Sequence, residues 1–210
     1  MTAYPTAWPV PVPPVELSGT IVTLETLTRD HFAEILPFAQ TPEIWRYLTT
    51  RPQTPEHMES YLEGLLSGYA SGVVLPFAVR LRSTRQIVGI TRFKSLTREH
   101  RKAIVGSWYA PSAWGSGCNT EGKFLLMQYG FESLGCLRIE FQVDSRNQRS
   151  CAALAKLGAT QEGILRSYII SSDGHRRDSV IFSVLDTEWP EIKEKLRQRL
   201  ETQLKSVAQS

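Results

Sequence analysis

Cysteine and histidine are both scarce in this chain, and neither is arranged to do metal chemistry. Three cysteines, Cys118, Cys136 and Cys151, form an odd set without a C-x-x-C pair. The four histidines stand apart from them and from one another, so no structural zinc site, and no metal of any kind, is expected. Reduced thiols in a cytoplasmic protein are the simplest reading. Charge of one sign is lacking too. The balance is +3, and no dense basic run alternates with aromatic residues, so nucleic acid is not an expected partner. Long apolar runs are missing as well. The opening stretch MTAYPTAWPVPVPPVELSG has neither the basic patch nor the apolar core of a signal peptide or membrane anchor. Its prolines predict an extended lead-in, with Trp8 available to pack on the body.

What is present is an ordinary soluble composition, 41% hydrophobic and 21% charged, in 210 residues that suit one domain with tails. Thr20 to Leu27 alternates as a half-buried strand. Helices follow after Thr28 and from Pro55, the latter with proline in the first turn, where it is tolerated. LPFAVRLR and QIVGITRFKSL then predict a hairpin across STR, and KAIVGSWYA a third strand ended by Pro111. A helix is expected from Thr120 to Leu134. A strand with Leu137, Ile139, Phe141 and Val143 on one face comes next, and then a short helix closed by Gly158. A second hairpin turns at SSDG, and PEIKEKLRQRLETQLK reads as an amphipathic helix docking through Ile192 and Leu196.

Between strand and helix lies WGSGCNTEGKF, Trp114 to Phe124, which raises three readings of one phosphate loop. As a nucleoside-triphosphate loop it places Phe124 where a magnesium-binding hydroxyl belongs, and Glu121 among residues that should cradle phosphate. As a dinucleotide fingerprint it has Thr120 in place of the third glycine, after hairpin-connected strands that a doubly wound sheet would not have. As a plain glycine turn it would only start a helix, with Asn119 or Thr120 as the cap.

The longer stretch WYAPSAWGSGCNTEGKFLLMQYGFESLGCLRIEFQVDSRNQRSCAALAKLGATQEGILR resembles the GCN5-related N-acetyltransferase (GNAT) family, and within it the ribosomal-protein alanine/serine branch. The resemblance spans 17–188, which implies a single acetyltransferase domain between a proline-rich extension (1–16) and a C-terminal helix and tail (189–210). The fold implied is α/β (α+β), a mixed and mostly antiparallel sheet splayed at the acetyl-CoA site and flanked by helices. Acetyl-CoA is then the co-substrate, with its pyrophosphate on the turn and helix start formed by Trp114, Gly115, Ser116, Gly117, Cys118, Asn119 and Thr120. That assignment has a physical basis, since free N–H groups at a helix start attract anions and glycine lets the backbone come close. Tyr109 and Ala110 would lie beside the pantetheine arm, and Asn147 would either hydrogen-bond that arm or cap the helix starting at Arg149.

The resemblance implies transfer of an acetyl group to a primary amine, on a protein N-terminus or a small molecule, with a homodimer as the open assembly. Two departures matter. Ala103 and Ile104 stand where relatives often carry a glutamate, and Leu154 stands where they often carry a tyrosine acid. Ser150 is the candidate general acid, and no residue is assigned as base; Glu140, Asp144, Glu162 and Tyr168 are conceivable participants. The departures keep a second reading open, a catalytically silent acyl-CoA sensor on the same fold. IWRYL (44–48) and SSDGHRRDS, with Arg176, Arg177 and Asp178, are expected to border the acceptor side.

Overall fold

The sheet runs through the whole molecule and sends alternate side chains into two separate cores. The computed structural model describes residues 11–208, so the expected Trp8 contact lies outside the described residues. Eight strands stand in the order β1-β2-β3-β4-β5-β6-β8-β7. They are β1 (Glu16–Ser18), β2 (Val22–Thr26), β3 (Leu75–Leu81), β4 (Ile87–Thr97), β5 (Lys102–Tyr109), β6 (Arg138–Asp144), β7 (Thr160–Ile170) and β8 (Arg176–Leu185). Every neighbouring pair is antiparallel except β5 with β6. The fold is thus the mixed α/β sheet expected, in one continuous layer.

Helices cover both faces: α1 (Phe32–Ala39), α2 (Pro42–Trp45), α3 (Pro55–Ala70), α4 (Cys118–Gln128), α5 (Gln148–Leu157) and α6 (Trp189–Ala208). On β3, Phe77 and Ala78 point opposite ways. Phe77 joins Leu126, Ile139, Leu154 and Ile192 in the core beneath α4, α5 and α6. Ala78 joins Ile35, Trp45, Leu62, Ile90 and Trp108 beneath α1, α2 and α3. The tail helix docks by Ile192 and Leu196, as its pattern predicts, and Trp189 extends the contact by stacking on Phe131 with ring centroids 5.4 Å apart.

Several boundaries differ from the sequence expectation for local physical reasons. β2 begins at Val22, after a turn closed by the Gly19 N–H donating to the Val22 carbonyl at 2.9 Å. The helix expected from Thr120 to Leu134 starts at Cys118 and relaxes into a π turn over Tyr129–Ser133. Leu137 is half-exposed because β6 starts one residue later, its own N–H donating to the Arg101 carbonyl. β7 lies at the sheet edge with Ile164, Leu165, Tyr168 and Ile170 exposed.

Candidate active site

The parallel pair is short. β5 and β6 are in register from Lys102↔Arg138 to Val105↔Phe141 and no further. β5 nevertheless stays paired to β4 as far as Gly89↔Tyr109, and β6 stays paired to β8 as far as Asp144↔Ser179. Each strand therefore holds to its other neighbour while the two part from each other. The sheet opens between Gly106–Tyr109 and Gln142–Asp144, and backbone that would have been laddered faces a gap.

Over that gap sits the start of α4. Gly115 (φ 79°) and Gly117 (φ 91°) both occupy the left-handed region, which a side chain makes costly, and Gly117 is the helix N-cap. The cap is thus a glycine backbone instead of Asn119 or Thr120. A first helical turn has N–H groups without intrahelical partners and a partial positive charge, and this one opens on a cleft of about 810 Å³. The cleft brings together Tyr109, Trp114, Gly115 and Gly117 with Asn119 and Thr120 on the near side. Asn147 and Ser150 border it from the start of α5.

The remaining expected residues lie behind this lining. The Ala110 N–H donates to the Val88 carbonyl at 2.8 Å. Ser116 Oγ donates to the Ala113 carbonyl at 2.7 Å, tightening the turn. Cys118 is fully buried, and burial pushes its thiol up despite the helix start, so it fills the turn as an inert side chain. Tyr109 contributes backbone: its carbonyl accepts from Trp114 Nε1 at 3.0 Å, while its ring is buried in the core. Burial drives the Tyr109 phenol strongly upward and keeps it neutral. Asn147 caps α5, its Oδ1 accepting from the Ser150 N–H at 3.1 Å, and still faces the cleft. α5 starts one residue before Arg149.

Cations surround the cleft. Arg149 lies over the Trp114 ring, its Cζ 4.1 Å from the centroid, so the two sides of the opening touch through a cation–π pair. Arg146, Lys156 and Arg199 complete a basic rim. Lys123 reaches in from the second turn of α4 and donates to Asn119 Oδ1; burial lowers its ammonium to about 8. Glu121, by contrast, points away from the cradle. Its carboxylate accepts the N–H groups of Thr20, Ile21 and Val22 at 2.8, 2.7 and 2.7 Å, tying the β1–β2 turn to α4. The repulsion expected from a carboxylate at this place in the loop is therefore absent.

A second cavity of about 140 Å³ adjoins the first through the gap. Tyr47, Leu48, Ser107, Lys123, Asn147 and Ser150 border both. Of IWRYL, Ile44, Arg46, Tyr47 and Leu48 line the cavities, while Trp45 is buried in the core beneath α1, α2 and α3. Of the hairpin residues, Arg177 enters the second cavity, while Arg176 is exposed and Asp178 Oδ1 accepts the Ser167 N–H at 2.7 Å. Arg92 and Lys94 of β4 also line this cavity and were not singled out from sequence. β4 bulges between Phe93 and Ser95, which frees Lys94 from the ladder and re-aims it. Its Nζ donates to Gln142 Oε1 at 2.9 Å, passing over Gly106, where an added Cβ would meet Lys94 Cδ at 3.6 Å. Nothing in an alternating strand pattern marks a bulge, which is why these cations were not legible. Lys123 was closer to legible, since it follows Asn119 by four on one helix face.

Of the conceivable acid–base participants, Asp144 alone faces the cavity. Burial works to raise its carboxyl, but hydrogen bonds from Arg146 and the nearby Arg177 charge outweigh that and hold it low. Glu140 and Glu162 are both committed to Arg138, and Tyr168 is on the exposed edge strand.

Comparison with known proteins agrees with this architecture. The family model for the acetyltransferase (GNAT) domain matches residues 22–160. The uncharacterized N-acetyltransferase p20 of Bacillus licheniformis is 26% identical over 169 residues, covering 80% of this chain and 94% of its own. A T. thermophilus structure assigned to the acetyltransferases is 36% identical with a TM-score of 0.81, across 95% of this chain and 100% of that one. RimJ of Mycobacterium smegmatis, solved in complex with CoA-disulfide, shares the fold at 24% identity and a TM-score of 0.75, over 89% of this chain and 92% of its own.

Proposed function

The chain belongs to the GNAT acetyltransferase family and is an N-acetyltransferase, and from that premise we propose that it moves an acetyl group from acetyl-CoA to a primary amine by direct attack. The observation that carries this reading is the parting of β5 from β6 beneath the start of α4, inside a cleft rimmed by Arg146, Arg149, Lys156 and Arg199. Coenzyme A is a polyanion with an amide-bearing arm, and each part has a counterpart here. The glycine turn and the free N–H groups of α4 suit a pyrophosphate, and the rim cations suit further phosphate. The unladdered edge of β5 suits the arm's amides as another strand would.

Acetyl-CoA supplies an acyl thioester. The amine nitrogen forms the new C–N bond to the acyl carbon, the C–S bond breaks with its electron pair going to sulfur, and one proton passes from the amine to the thiolate overall. Ser150, facing both cavities, is the hydroxyl assigned to return that proton. The β5 edge N–H groups stabilise the charge that develops on the carbonyl oxygen. Asp144 is held ionised by Arg146 and orders the α5 entrance.

Acetyl-CoA should raise the melting temperature while ATP with magnesium should not, and the reverse result would remove this reading. A free-thiol release assay over a panel of amines tests turnover directly. Gly117→Asp places a side chain in the left-handed cap and a negative charge in the cradle, and should weaken acetyl-CoA binding at least about 100-fold by calorimetry. Intact binding in that variant would overturn the cradle assignment.

A further inference from the structure

The second cavity holds more positive charge than the fold needs. Arg92, Lys94, Lys123 and Arg177 line it, and the one carboxylate among its described lining residues, Asp144, is already bound by Arg146 Nε at 2.9 Å and Nη2 at 2.7 Å. Glu140, the other acid close to Lys94, is paired with Arg138 at 3.0 Å. Arg177 is only 5% exposed; its Nη2 donates to the Gln142 carbonyl at 3.0 Å, but its Nε is buried without an acceptor among the described residues. Arg92 Nη1 is likewise buried without an acceptor among them, its guanidinium lying 5.8 Å from the Tyr61 ring centroid. Buried guanidinium donors that lack acceptors are costly and rare, and two of them around one cavity point to an anion that completes the set.

Neighbouring charge reports the same imbalance. Burial, with Arg92 and Arg177 close by, lowers the Lys94 ammonium to about 8. The coenzyme's phosphates do not account for this cluster, because the outer cleft has separate cations in Arg146, Arg149, Lys156 and Arg199. The volume of about 140 Å³ is small for a ligand site and suits a single compact group.

We infer that the second cavity receives an anionic group borne by the acceptor, so that the acceptor is a compact amine carrying a carboxylate or a phosphate near its nitrogen. This rests on the acetyl-transfer reading above and names its substrate class. The placement has a chemical consequence. An amine anchored by its anion lies among cations that disfavour its own protonation, so the reactive free base is enriched without a dedicated glutamate.

The test is initial-rate thiol release with matched acceptors: β-alanine against β-alaninamide, and phosphoethanolamine against ethanolamine. The anionic member of at least one pair should have a kcat/KM about 100-fold higher, and the larger ratio identifies carboxylate or phosphate. Arg177→Gln should reduce that preference at least tenfold, with acetyl-CoA affinity by calorimetry and the melting temperature confirming an intact protein. Arg92→Gln provides the second variant should the first fail to fold. Equal use of neutral and anionic amines, a preference indifferent to both variants, or no turnover of any anionic amine by protein that binds acetyl-CoA would each overturn the inference. Failure of the native protein to bind acetyl-CoA would instead remove the acetyl-transfer reading, and this inference with it.

Discussion

Glu121 shows how far a single residue's meaning depends on what lies opposite it. Its carboxylate is buried, and three backbone N–H groups about one hundred positions earlier in the chain converge on it. Truncation to alanine would leave those donors without an acceptor, and one charged, multiply bonded acceptor is worth about 3 kcal/mol in such a setting. Glu121→Ala is therefore expected to lower the unfolding free energy from urea titration by that order, and Glu121→Gln by less, since one carbonyl oxygen remains. A change within about 0.5 kcal/mol would mean that water replaces the carboxylate there. Gly19 belongs to the same unit, because an added Cβ would sit 2.4 Å from Glu121 Cδ. The sequence places Glu121 correctly on α4 but carries no sign of its partner, so a carboxylate near a phosphate loop is read as repulsive. Gly115 and Gly117 were legible for the opposite reason: their role is local, set by their own dihedrals and by the helix that follows.

Among the elements, α6 and the β5–β6 pair differ in what pattern could tell. The apolar spacing of α6 predicts its docking face, and Ile192 and Leu196 are buried as that spacing requires. Trp189 adds what spacing does not show. It is 4% exposed, stacks on Phe131, lies 5.9 Å from Phe124, and donates Nε1 to Glu132 at 2.8 Å. Trp189→Ala removes a large buried ring and one hydrogen bond to Glu132, which keeps Lys193 and Gln128 as partners, and should cost about 3–5 kcal/mol. Denaturant unfolding would show it, and a loss below about 1 kcal/mol would mean that α6 is peripheral to the core. Both hairpins, the strand before Pro111 and the alternating β6 were readable because period and turn chemistry are written into neighbours. The splay was expected from the family resemblance alone. A strand's register with a non-adjacent strand is a long-range property, and the point at which Val105↔Phe141 ends the ladder has no local mark.

For the molecule as a whole, a net charge of +3 conceals a concentration of cations at one place, and such a concentration has a cost that can be measured. Lys94 is the clearest case: burial first, then Arg92 and Arg177, take its ammonium from the ordinary 10.5 to about 8, with Glu140 opposing them. Below pH 8 both folded and unfolded chains are protonated there, and the folded chain bears the full penalty. Between pH 8 and 10.5 the unfolded chain holds the extra proton, so stability contributed by this group rises with pH; above 10.5 both forms are neutral and the penalty is gone. Lys94→Met is accordingly expected to stabilise the free protein by about 1–2 kcal/mol at pH 7, after the lost Gln142 hydrogen bond is counted. The gain should shrink as the pH is taken from 8 to 10.5. Paired denaturation curves at about pH 7 and about pH 10 decide it, and a gain that is absent or independent of pH would show that the Lys94 charge is not strained. A stabilised variant that also loses discrimination between anionic and neutral amines would show that the strain is held in place for recognition, with the anion relieving on binding what the free protein endures.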